Sequence, residues 1–350
     1  MLSRSFATFV VFALAAATAP HASAGKLHNS PIIDLPGGEY SPSVMHDALD
    51  NKTRIWWCAE NPVGLNEVIS YQEIGANGSR TAPQIVLKAN STISGAPALA
   101  WEGNRVCDPT VVRGSWVYGG TTYTFAMYYT TEKPSLTLVD SNRIGLAFSN
   151  DGINWTKYAA AAVVDDGVST PFYGTGAAVA WRAGSTAGHV RMVYLDVDIN
   201  GNTRHWYREA LDGINFGGPT ARTQVSHNGL SVNGVAGISP WHPAIGIAPG
   251  IYQNGYYYYM AAVCETYGAE YGYAAKGVCV YRTAGDYGLF NGPWEKVLDP
   301  AHSRPFENQP GIHTDQWGAI ATLPRISVST GCSDDPYPGF WGMCVTDGTQ

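Results

Sequence analysis

Carboxylates recur in this chain where strongly apolar runs stop. Glu60 closes RIWWCAE, Glu132 closes TYTFAMYYTTE, Asp196 and Asp198 close VRMVYLDVD, Glu265 closes YYYYMAAVCE and Asp347 closes FWGMCVTD. Asp108 does the opposite, because it opens an apolar run, CDPTVVR, between Cys107 and Pro109. Proline fixes the backbone and donates no hydrogen bond, which suits the head of a strand. Carboxylates gathered in one place accept hydrogen bonds from sugar hydroxyls and can act as the acid and base that cleave a glycosidic bond. Glu60 and Glu265 each follow a cysteine closely, so a disulfide beside either would hold it rigid. Asp108, Glu265 and Glu60 are therefore the candidate catalytic residues. An acid at a strand end is also cheaply hydrated there, which is the plainer account of Glu132, Asp198 and Asp347.

Rings supply the other half of a sugar site. Trp241 and Trp317 fall near strand heads, as do His242, Tyr173 and Asp315, and with His46 they form the candidate substrate-binding set. His46, His242 and His313 can hydrogen-bond a substrate or ligate a metal. The sequence contains no His-Glu-x-x-His, no Cys-x-x-Cys, no glycine-rich phosphate loop and no serine elbow, so zinc chemistry, nucleotide binding and serine hydrolysis lack a motif. A formal charge of −7 with scattered basic residues offers no stripe for phosphates, which argues against a nucleic acid partner.

These residues need a scaffold that makes them converge, and the chain repeats one. From Arg105 to Trp155 the sequence reads as three strands: CDPTVVR opens the first, Tyr123 to Thr130 form the second, Arg143 to Phe148 the third, and Asn150-Asp151-Gly152 turn the chain. First strands of the same form occur at Tyr40 (YSPSVMH), Cys107, Tyr173 (YGTGAAVAW), Ser239 (SPWHPAIGI) and His313 (HTDQWGAIATL), spaced by roughly 65 to 75 residues. RHWYREALDGINF and GVCVYRTAGDYGLF echo the third strand and its turn. A repeated antiparallel unit with recurring glycine and aromatic residues predicts an all-β fold, a five-bladed β-propeller of four-stranded blades around a central channel. The fifth copy is the weakest, because the chain ends soon after its second strand. In such a ring, first-strand starts and second-strand ends share one face, so the acids named above meet at one funnel.

The first residues carry Arg4, an apolar core from Phe9 to Ala17 and Ala22-Ser23-Ala24. This pattern predicts a secretory signal over residues 1–24, cleaved after Ala24, and a single propeller domain over residues 25–350. The apolar core is too short to span a bilayer, so an exported protein with no membrane span is expected. Six cysteines fit an oxidising compartment. The repeat suggests Cys264 with Cys279, Cys332 with Cys344 and Cys58 with Cys107. Asn51, Asn77, Asn90 and Asn154 lie in glycosylation sequons, which matter only in a eukaryotic secretory route.

DPTVVRG, the YYTT strand end and RIGLAFSNDGINW resemble the five-bladed propeller glycoside hydrolases, the superfamily of family 43 arabinofuranosidases and β-xylosidases with families 32, 62 and 68. The resemblance runs from about Tyr40 to the C-terminus and is sharpest in the middle copies. It implies a sugar-cleaving funnel with an Asp as base or nucleophile, an orienting Asp and a Glu as acid. It also implies a calcium ion in the channel, with His313 or His242 nearest to hand. The sequence departs from that pattern: Ser41 stands where the first blade usually supplies an Asp, and the third blade reads YGTGAAV where a Glu is usual. Hence the leading expectation is a secreted, monomeric glycosidase acting on arabinofuranosyl or xylosyl linkages of a polysaccharide. Asp108 would be the base or orienting carboxylate, with Glu265 or Glu60 as donor, inverting chemistry as the default and no cofactor needed beyond structural calcium. The competing expectation is a catalytically silent propeller that binds carbohydrate or scaffolds a surface assembly. A sialidase-like enzyme, suggested by SNDGINW, is disfavoured by the shortage of arginines at the channel positions.

Overall fold

A computed structural model describes residues 25–26, 38–60, 67–89, 99, 101–103, 105–132, 142–166, 174–184, 187–197, 203–236, 245–252, 255–267, 275–301, 306–320, 322–333 and 342–349. They form a five-bladed β-propeller. β1 (Gly25–Lys26) precedes the first blade, which comprises β2 (Glu39–Asp47), β3 (Lys52–Glu60), β4 (Glu67–Ile74) and β5 (Gln84–Leu87). The second holds β6 (Val106–Tyr118), β7 (Thr121–Glu132), β8 (Asn142–Ser149) and β9 (Thr156–Lys157). The third holds β10 (Gly174–Arg182), β11 (Val190–Val197), β12 (Thr203–Ala210) and β13 (Thr223–Gln224). A small hairpin of β14 (Ser231–Val232) and β15 (Val235–Ala236) leads to the fourth, with β16 (Ile245–Tyr252), β17 (Gly255–Thr266), β18 (Ala275–Ala284), the short helix α1 (Gly285–Asn291) and β19 (Glu295–Ala301). The fifth contains β20 (Phe306–Ile312), β22 (Arg325–Ser333) and β23 (Gly342–Thr349), with β21 (Thr314–Asp315) between the first two.

Second strands lack polar alternation because both of their faces are buried. In β7, Phe125, Met127 and Tyr129 pack with Met45 and Trp56 of the first blade, while Ala126 and Tyr128 pack with Ala178, Met192 and Tyr194 of the third. In β17, Tyr258, Met260 and Ala262 join Trp181 and Val193 on one side. Tyr259, Ala261 and Val263 join Ile312 and Val328 on the other. Each blade is thus cored by its neighbours, and none can stand alone. The turns after the third strands are built by aspartate: Asp151 Oδ1 accepts the N–H groups of Ile153 and Asn154 at 2.8 Å, and Asp212 does the same for Ile214 and Asn215. The glycines that follow, Gly152 (φ 78°) and Gly213 (φ 68°), supply the left-handed step.

Two features of the fifth blade correct the sequence reading. Its innermost strand is β20, FENQPGI, and not HTDQWGAIATL; Gly342–Thr349 is its third strand and not its second. The physical reason is ring closure. β1 pairs antiparallel with β23, Gly25 opposite Asp347, so the N-terminal segment supplies the fourth strand and the C-terminal stretch needs only three. Asp347 consequently points to the far face, where it accepts from Ser327 Oγ and pairs with Arg325.

The segment displaced by this correction, His313 to Ile320, crosses the far end of the channel. Thr314 and Asp315 pair in parallel with Met45 and His46 of β2. Gln316 O accepts from Arg113 N at 2.8 Å, Trp317 O accepts from Arg182 N at 2.8 Å, and Ile320 N donates to Pro249 O at 2.9 Å. One loop therefore ties down the innermost strands of all four other blades. All three disulfides join the expected pairs: Cys264–Cys279 and Cys332–Cys344 link adjacent strands of one blade, and Cys58–Cys107 links the first blade to the second.

Candidate active site

Three non-glycine residues with left-handed backbone mark the channel mouth: Ser41 (φ 50°), Asp108 (φ 45°) and Gln309 (φ 51°). Each precedes a proline, and each falls where its strand skips register against the next, between Tyr40 and Ser43, Cys107 and Thr110, and Asn308 and Gly311. Such a conformation costs about 1–3 kcal/mol for a residue with a side chain, and the bulge turns that side chain out of the strand's regular alternation. The third blade skips at the same place, between Gly176 and Val179, which puts Ala177 in register with Asp108. His242-Pro243 repeats the motif in the fourth blade but lies outside the described residues, as do Trp241 and Tyr173.

The three side chains meet. Ser41 Oγ donates to Asp108 Oδ1 at 2.5 Å and lies 3.1 Å from Gln309 Oε1. A hydroxyl has one proton, so with that proton on Asp108 the Gln309 amide is best turned to donate its NH2 to Ser41. They rim a cavity of about 60 Å³ whose wall includes Ala178 and whose floor includes Thr314 and Gly318 of the crossing loop. Asp108 is buried.

A second carboxylate cluster stands beside this rim. Glu67, at the head of β4, accepts the Tyr40 hydroxyl at 2.5 Å and lies 3.5 Å from Arg105, which also reaches Glu132 at 3.4 Å and donates to Asn142 Oδ1 at 2.9 Å. Burial raises the Glu67 carboxyl above its ordinary value, and the charges of Asp108 and Glu132 push the same way, while Arg105 and the Tyr40 hydroxyl oppose them. Burial likewise pushes the Tyr40 phenol well up, with help from Glu67, Asp108 and Glu60. Between the clusters lies the Cys58–Cys107 bridge. Cys107 Sγ is 3.5 Å from Asp108 Oδ1, and both sulfurs lie within 4.8 Å of a Glu67 carboxylate oxygen. Both cysteines are committed to the disulfide and cannot ligate a metal. Sequence reasoning missed Glu67 because it searched second-strand ends; the signal was the antiparallel pairing that sets Glu67 opposite Glu60.

No sequence-family model matches the chain, and no curated protein does. Solved structures do. The catalytic domain of a family 62 α-L-arabinofuranosidase from Coprinopsis cinerea superposes with a TM-score of 0.56 at 11% identity, covering 94% of this chain and 97% of its own. A family 43 β-xylosidase/α-arabinofuranosidase from a compost microbial metagenome, solved with xylotriose, gives 0.56 at 13% identity, covering 93% and 94%. An α-L-arabinofuranosidase from Podospora anserina, solved with cellotriose, gives 0.52 at 11% identity, covering 92% and 95%. The fold is that of the five-bladed propeller glycoside hydrolases.

Within this propeller the structure separates the candidates into two ends. Asp108 and Glu60 lie at the mouth, Glu60 as the ladder partner of Glu67. Glu265 is the penultimate residue of β17 in the fourth blade, 3.6 Å from Lys276. His46, His313, Asp315 and Trp317 are not brought to that rim. His46 is five residues along β2 from Ser41, about 15 Å in extended chain, and belongs with the crossing loop. Thr53 Oγ1, His46, His313 and Ser329 Oγ form one chain at 2.8, 3.3 and 2.7 Å. Burial lowers both imidazoles, His313 to about 3. Both nitrogens of each ring are thereby used, and calcium prefers six to eight oxygen ligands, so His313 does not fit that ion. Asp315 accepts the N–H groups of Trp317 at 2.8 Å and Ala319 at 3.0 Å, and Trp317 stacks under Arg182 at 4.1 Å. These residues build the floor.

Proposed function

We propose that the protein is a glycoside hydrolase that removes arabinofuranosyl or xylosyl units from a polysaccharide, exported after cleavage near Ala24. The observation that carries this reading is the buried Asp108 carboxylate at a blind channel mouth, aimed by strained backbone and held by Ser41. Asp108 serves as base or orienting carboxylate, and Ser41 and Gln309 bind hydroxyls of the terminal sugar. The solved arabinofuranosidases and xylosidases that share this fold support the choice of sugar. The test is turnover of aryl arabinofuranosides, xylosides and galactofuranosides by the mature protein and by Asp108→Asn. Turnover reduced about a thousand-fold in the variant is expected for an essential acid or base; equal rates would remove Asp108 from the mechanism.

One observation favours a second reading, a non-catalytic carbohydrate-binding propeller. Ser41 occupies the position for which the resemblance implies an Asp, and Gln309 and Ala177 fill the equivalent places of two other blades. Glycan binding without turnover on any of these substrates would select it.

A further inference from the structure

We propose that Glu67 is the proton donor of this mouth, positioned by Tyr40 and Arg105 and set across the Cys58–Cys107 bridge from Asp108. The assignment rests on the hydrolase reading above and replaces Glu265 and Glu60 in the donor's role. Distance supports it first. With Cys107 Sγ 3.5 Å from Asp108 and within 4.8 Å of Glu67, the two carboxyl groups are no more than about 8 Å apart, close enough to act on one glycosidic bond, where an acid and a base stand at most about 9.5 Å apart. Access supports it next: the Glu67 side chain keeps 21% of its surface exposed, an open edge for a leaving-group oxygen. Glu265, by contrast, stands in another blade, 3.6 Å from Lys276.

The groups facing Glu67 are Tyr40 from β2, Glu60 from β3, Arg105 and Asp108 at the start of β6, and Glu132 from β7. Burial and the charges of Asp108 and Glu132 favour a protonated Glu67 and outweigh the opposing pull of Tyr40, which donates to one oxygen, and of Arg105, 3.5 Å from the other. In the reaction, a water oxygen bonds to the anomeric carbon as the bond from that carbon to the leaving oxygen breaks. Asp108 takes a proton from the water, and Glu67 gives its proton to the leaving oxygen. The two carboxyl groups end with their protonation exchanged, and solvent restores them.

A donor matters most when the leaving group is poor. Wild type, Glu67→Gln and Tyr40→Phe are compared on a nitrophenyl and an unsubstituted phenyl glycoside of the sugar the wild type accepts, across pH. Glu67→Gln is expected to lose at least a hundred-fold in kcat/KM on the phenyl substrate, less than ten-fold on the nitrophenyl one, and the alkaline limb of its pH profile. The Tyr40 hydroxyl orients Glu67 and stabilises its carboxylate, so Tyr40→Phe should lose less kcat/KM on the phenyl substrate than Glu67→Gln does and move that limb to higher pH. Equal losses on both substrates, or a retained limb in Glu67→Gln, would overturn the assignment while leaving the hydrolase reading intact. A wild type inactive on every glycoside would instead remove the hydrolase reading and this assignment with it. If Glu67→Gln does not fold, Glu67→Asp and the same leaving-group comparison decide.

Discussion

Ser41, Asp108 and Gln309 show how one backbone device, repeated, turns three unlike side chains toward a common point. Asp108 was legible because Asp-Pro at the head of an apolar run is a conspicuous pairing. Gln309 was not, since Asn-Gln-Pro-Gly reads as a turn, and its place at the rim depends on a register that only the paired strands reveal. Placing an acid at Ser41 tests the rim directly: Ser41→Asp would set a second carboxylate against Asp108, raise one of the two pKa values and shift any pH optimum upward. The histidines make a prediction of opposite origin. His313 titrates near 3 in the fold, against about 6.5 in an unfolded chain. Between those values the unfolded state binds a proton that the native state refuses, so stability is lost as pH falls from 6.5 toward 3. His46 is shifted the same way, and His227, buried elsewhere, titrates near 4. The melting temperature should therefore drop steadily over that span, and His313→Asn should flatten the drop while lowering the value at neutral pH.

Among the elements, the second strands were the clearest in the sequence and the innermost strand of the fifth blade the least clear. Runs such as TYTFAMYYTTE announce burial on both sides, which only a stacked sheet provides, and β7 divides its residues between two cores. The crossing loop misled because QWGAI imitates a strand start while its backbone bonds go to four other strands. The cross-blade disulfide carries the prediction at this scale. It closes a stretch of 49 residues and sits between Asp108 and Glu67. Replacing Cys58 and Cys107 together by Ser should cost about 2–4 kcal/mol in denaturant unfolding and weaken turnover. Replacing Cys332 and Cys344, which tie β22 to β23 within the fifth blade, should cost stability and leave turnover near wild type.

For the molecule as a whole, the count of five blades was legible from the repeat, and the closure was not, because Gly25-Lys26 carries no pattern of its own. The ring is fastened by that two-residue ladder between the N-terminal segment and β23. Deleting residues 25–26 bares the edge of β23, so a lower melting temperature and greater self-association in sedimentation are expected; an unchanged value would mean the fastening is idle. The floor laid by residues 313–320 has a separate consequence. A shaft stopped at one end is a cul-de-sac: whatever enters must back out by the same door. On the hydrolase reading proposed above, only the tip of a branch would reach the bottom, the trunk of the polymer staying outside, and a released monosaccharide would compete with the next arrival for the single doorway.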